Sequence, residues 1–163
     1  MKADAVLQLQ QLRQLRQLRE RRAQHQLASQ LERCLAATAA LQQAQGAIDE
    51  AQQQLHREAE ALQQLLGAGA LAVGTYQSAL EVLEAFDQHR LHLQEQLLSA
   101  EQNSAAQQRQ KVALQRALML RRQQSDALEP LLEEHARARR RIDESIEEEL
   151  YDERAALRWE APL

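Results

Sequence analysis

Leu27, Cys34, Leu41, Ile48, Leu55 and Leu62 stand seven residues apart, the interval at which a helix returns one face to a neighbouring helix. This column predicts a first helix over about residues 4–66. A companion column, read four residues further on, holds Leu31, Thr38, Gln45, Gln52, Ala59 and Leu66. Half of it is polar, so the seam is expected to be narrow and loosely packed, with Gly46 a mild weak point. Cys34 stands in the apolar column and reads as a small buried hydrophobe.

Upstream the spacing changes. Leu9, Leu12, Leu15 and Leu18 recur every third position, and Arg13, Arg16 and Arg19 trail them. Each three-residue step falls about 60° short of a full helical turn, so these leucines wind around half of the cylinder. One flat partner could not cover them all.

The pattern breaks over residues 67–74, where Gly67, Gly69 and Gly74 permit a turn and Thr75 is the expected N-cap of the next helix. A second helix over about residues 75–158 then shows Tyr76, Ala79, Leu83, Phe86, Leu93, Leu97 and Ala100 at helical spacing. Its stripe weakens over the polar segment EQNSAAQQRQ, expected to be frayed or water-lined, and resumes at Leu114, Leu118, Leu128 and Leu132. Pro130 should kink or restart the helix. Beyond it Ile142, Ile146 and Leu150 continue a stripe.

The expected fold is therefore all-α. One elongated unit over residues 1–163 forms a long antiparallel two-helix coiled-coil hairpin, its second helix longer and kinked near Pro130. At about 1.5 Å per residue it would be about 90 Å long or more. Pairing about the turn places each residue i near residue 141 − i, so Arg19 should lie close to Arg121 and Arg122.

Composition agrees with long helices. The chain is rich in Ala, Leu and Gln and has only four Gly, two Pro, one Phe, one Trp and two Tyr, too few aromatics for an ordinary globular core. One cysteine allows no internal disulfide, and neither a signal peptide nor an apolar run long enough to cross a membrane is read, so a soluble cytoplasmic protein is expected. Net charge is −4, but it comes in blocks. Arg13, Arg16, Arg19, Arg21 and Arg22 form one basic block, Lys111 to Arg122 a second, and Arg137, Arg139, Arg140 and Arg141 a third. An acidic stretch from Asp143 to Glu153 follows. The pairing brings the basic blocks together at the open end, whereas the glycine turn at the other end is apolar through Leu65, Leu66, Leu71, Val73 and Tyr76.

Catalytic residues, metal ligands and cofactors are not expected. The histidines are scattered, and His89 with His92 has helical spacing but no matching ligand on the other helix. The string GAGALAVG has the glycines of a phosphate loop, yet it follows a Leu/Gln helix where that motif requires a strand. Nucleic acid is not an expected partner, because aromatics are missing from the basic end and the acidic stretch adjoins it. Direct membrane insertion is not expected either.

The run Leu18-Arg19-Glu20-Arg21-Arg22-Ala23 resembles the L-R-x-x-R-A pattern near the start of the YscO/FliJ family, the small coiled-coil proteins of bacterial type III secretion, with their HrpB-type relatives. Length, helical hairpin and the Glu-rich C-terminal end are similar too. The resemblance implies a non-enzymatic central stalk at the cytoplasmic base of the secretion apparatus. Its open end would enter the pore of the hexameric secretion ATPase, as the coiled coil of a rotary ATPase gamma subunit does. Arg13, Arg16, Arg19, Arg21, Arg22, Arg121, Arg122, Arg139 and Arg140 would then contact the ring. The tip residues Leu71, Val73, Tyr76, Leu80 and Leu83 would contact the export gate protein or secretion chaperones. The competing readings are a self-associating structural coiled coil, acting as a peripheral stator or tether, and a secretion chaperone.

Overall fold

The computed structural model describes residues 2–69 and 72–159. Three α-helices follow one another: α1 over Lys2–Gly67, α2 over Val73–Asp126 and α3 over Glu129–Trp159. No strand occurs among the described residues. The architecture is all-α, an antiparallel two-helix coiled-coil hairpin in which α1 is one arm and α2 continuing into α3 is the other, longer and bent by 14°. Contacts group the chain into two compact units, one over Gln26–Leu114 and one combining the described residues of Met1–His25 and Gln115–Leu163.

Within the unit Gln26–Leu114, the seven-residue column of α1 faces inward as its spacing dictates, with Cys34, Ile48 and Leu62 buried. The companion column follows expectation at half-buried Ala59 but not before it. It lies at Gln30, Ala37, Ala44 and Ala51, one position before the residues that periodicity nominated. Leu31, Gln45, Gln52 and Leu66 are exposed instead. Ala37 and Ala51 are buried because a two-helix seam has room for small side chains between larger ones, and alanine also carries the highest helix propensity. The second arm contributes Tyr76, Ala79, Leu83, Phe86, Leu93, Leu97 and Ala100, each half-buried, as its spacing predicts.

The segment expected to fray is continuous helix, and its inward residues Ser104 and Gln107 are half-buried. Polarity is accommodated by hydrogen bonds. Gln30, only 3% exposed, donates through Nε2 to the Gln107 side-chain oxygen at 2.7 Å and to the Gln107 carbonyl at 3.0 Å. Cys34 Sγ lies 3.3 Å from that same carbonyl, so its thiol is a weak donor inside a polar layer as well as a packed hydrophobe.

At the turn, α1 closes with the Ala68 N–H donating to Gln64 at 3.1 Å and the Gly69 N–H to Leu66 at 3.2 Å. Gly69 has a φ of 67°, the left-handed conformation that a glycine adopts without strain. The second arm starts earlier than expected. Tyr76 N–H donates to the Ala72 carbonyl at 3.1 Å, which puts Ala72 at the cap position and Gly74 and Thr75 inside the first turn of α2. Thr75 is therefore not the N-cap.

In the other unit, α1 again runs antiparallel to its partner. Arg13 pairs with Glu129, Arg16 with Gln124 and Glu20 with Arg122, so rising numbers on one arm meet falling numbers on the other. These pairs sit within a residue of the expected register. Ala23 and Leu118 are buried in this seam.

The second arm is interrupted next to Pro130, as expected, and the interruption takes the form of a restart of the helix. Two residues, Ala127 and Leu128, leave the helix between Asp126 and Glu129, and Pro130 occupies the first turn of α3, where its missing N–H has no intrahelical partner to lose. Leu128 is 4% exposed and anchors the break to the seam. Every described residue from Glu133 to Trp159 is exposed.

Candidate functional site

Three-residue spacing decides what each arginine of the first block does. Steps of about 60° carry successive arginines from the seam to the outside of α1. Arg13 and Arg16 are on the inner side and bind the second arm. Arg13 Nε lies 3.0 Å from Glu129 Oε1, at the start of α3, and Arg16 donates through Nη1 to the Gln124 carbonyl, in the last turn of α2. That carbonyl is among the four that a helix C-terminus leaves without an intrahelical partner, so Arg16 works as a cap supplied by the opposite arm. Arg19, Arg21 and Arg22 are exposed and make no ion pair among the described residues.

The second block divides in the same way. Arg122 Nε is 3.4 Å from Glu20 Oε1, whose side chain is mostly covered, whereas half-buried Arg121 has no carboxylate partner among the described residues. In α3, Arg137 pairs with Glu133 one turn back at 3.4 Å, and Arg139 and Arg140 are exposed without an ion pair among the described residues. The structure thus places Arg13, Arg16, Arg19, Arg21, Arg22, Arg121, Arg122, Arg139 and Arg140 in one unit, and six of them divide between two kinds of work. Arg13, Arg16 and Arg122 hold the arms to each other. Arg19, Arg21 and Arg22 are available to a partner.

The carboxylates Glu20 and Glu129 escaped the sequence reading, although the pairing register combined with opposite charge could have found both. The Gln124 carbonyl had no such signal, because a backbone acceptor leaves no trace in residue identity. The leucines follow the arginines: Leu9 and Leu12 are half-buried toward the seam, and Leu15 and Leu18 are exposed.

The tip residues are less coherent than the basic end. Leu71 lies outside the described residues. Val73 is 75% exposed and does not fold back as a cap, Leu80 is exposed, and Tyr76 and Leu83 are half-buried in the seam. An open groove beside the turn is lined by Leu62, Leu65, Ala79, Val82 and Leu83, with Thr75 and Ser78 at its edge. Leu83 is the one expected tip contact within it. Val82 and Leu65, both about half exposed, are apolar residues of this groove that the seam periodicity did not single out.

Among the described residues, no group of three His, Cys, Asp or Glu converges in a way that could hold a metal ion. His92 sits 3.1 Å from Gln96 and His56 3.1 Å from Glu60, each along its own helix. Among the described residues no helix is long and apolar enough to cross a membrane. Comparison with family models, with curated proteins and with solved structures returns no match to this chain.

Proposed function

We propose that this chain is the central stalk of a type III secretion system, coupling the hexameric secretion ATPase to the export gate and so promoting protein export. The observation that carries the reading is the division of labour among the arginines. One subset ties the two arms together, and Arg19, Arg21 and Arg22, within the run that resembles the YscO/FliJ pattern, is left exposed beside outward-facing Leu15 and Leu18. A helix gripped by a ring needs contact groups on faces that a simple hairpin would leave to solvent.

The mechanism on this reading is mechanical. A rod without sixfold symmetry touches the subunits of a ring unequally, so it favours ring assembly and biases which sites bind or hydrolyse ATP, while the nucleotide chemistry stays with the ATPase. The opposite end, with Val73, Val82 and the groove around Leu83, would meet the export gate protein or secretion chaperones.

Copurification with the secretion ATPase of the same organism tests this. The stalk reading expects a complex that weakens as salt rises and is lost when Arg19, Arg21 and Arg22 are all changed to glutamate. A self-associating coiled coil is the second reading, favoured by the exposed apolar stripe of α3. It expects no ATPase complex.

A further inference from the structure

The outer half of α3 has an apolar stripe that no described residue covers. Ile142, Ile146 and Leu150 are 48%, 49% and 48% exposed, and Leu157 is exposed further along the same face. On a helix these four positions fall within a quarter of the circumference. Asp143 and Glu147 flank the stripe on one side and Glu149 on the other, and Glu153 lies within it. From Ile142 to Leu157 there are seven carboxylates and one basic residue, Arg154, which shares the flank of Asp143 and Glu147. Such a surface suits an amphipathic helix carrying arginines beside apolar residues.

The same chain displays one. On the face of α1 opposite its seam, Leu7, Leu15 and Leu18 are exposed, with Arg22 among them and Arg19 and Arg21 at the edges. Between Ala5 and Arg22 there are five arginines and a single carboxylate. At about 1.5 Å per residue the α1 stripe from Leu7 to Leu18 is about 16 Å long and the α3 stripe from Ile142 to Leu157 about 22 Å, so the lengths are comparable. Sign and width match, and the shorter stripe fits within the longer.

We propose that the acid-flanked stripe of α3 is a docking surface for the arginine- and leucine-bearing outer face of α1 in a second copy of the chain. A twofold axis lets each copy offer both surfaces, so the contact closes on itself as a dimer. Guanidinium groups suit the carboxylates at the margins because their donors engage carboxylate oxygens in pairs. The inference goes beyond the stalk reading and does not rest on it. If both hold, ring and second copy compete for Arg19, Arg21 and Arg22.

Sedimentation velocity of the full chain, without any ATPase, tests the proposal. At low salt the expected mass is twice the 18.6 kDa of one chain, returning toward one chain as salt screens the margins. Ile146→Glu with Leu150→Glu, both at exposed positions, should give a monomer with unchanged helix content. Reversing α1 (Arg19→Glu, Arg21→Glu, Arg22→Glu) or α3 (Asp143→Lys, Glu147→Lys, Glu149→Lys) should each abolish self-association, whereas an equal mixture of the two reversed chains should restore the dimer. A wild-type chain that stays monomeric at low salt overturns the proposal. So does a dimer indifferent to the α1 reversal, which would pair α3 with α3. Binding of a foreign basic helix through Ile146 and Leu150 by a monomeric chain also overturns it. A dimer that never engages the ATPase would leave this proposal standing and remove the stalk.

Discussion

Gln30 shows how one residue can reverse an expectation. A polar residue at a heptad position normally signals a loose seam, but here its side-chain amide joins Gln107 and shares the Gln107 carbonyl with Cys34. Truncating Gln30 to alanine removes these bonds and leaves a small void, so a loss of about 1–3 kcal/mol is expected in urea or thermal unfolding. Gly46 should behave in the opposite way. It sits in the exposed interior of α1 with nothing within 4 Å of a Cβ placed on it, so Gly46→Ala should stabilise by about 0.5–1 kcal/mol in the same assay. The inward role of Cys34 was legible because a single apolar residue recurred with a fixed period. That of Gln30, Ala37 and Ala51 was not, because leucines at 31 and 66 draw a pattern search to the neighbouring column, and only packing against a second helix shows that small residues fill the seam.

At the scale of elements the informative feature is the joint between α2 and α3. Proline removes a donor and clashes with the turn before it, so a break near Pro130 was readable from sequence alone. Its form was not. Three contacts stabilise the joint: Leu128 buried in the seam, Arg16 on the Gln124 carbonyl and Arg13 on Glu129. Leu128→Ala should cost about 2–4 kcal/mol, because it empties the one buried position of the break. Arg16→Ala should cost about 1 kcal/mol, and amide exchange should quicken selectively around residues 123–128, since one terminal carbonyl loses its partner. Equal protection in wild type and Arg16→Ala would show that the cap contributes nothing. The start of α2 was missed for a related reason: Thr75 looked like a cap by residue type, but Gly69 completes the turn early and leaves Ala72 in the cap position.

For the whole molecule, the antiparallel hairpin and its register could be read from two apolar repeats and one glycine cluster, and the ion pairs across the arms fall where that register puts them. Partition of the arginines could not be read in advance, because it depends on which face of α1 the second arm covers. That partition separates stability from recognition: at salt high enough to keep the chain monomeric, substitutions at Arg19, Arg21 and Arg22 should leave melting unchanged within about 0.5 kcal/mol, since exposed charges contribute little to folding. The stalk proposal stands or falls on what those three arginines meet. The most direct measurement is ATP hydrolysis by the purified hexameric secretion ATPase of the same organism, with and without the wild-type chain and its Arg19→Glu, Arg21→Glu, Arg22→Glu variant at equal helix content. Stimulation by the wild type that disappears with the variant is the predicted result; an ATPase equally indifferent to both chains would contradict it.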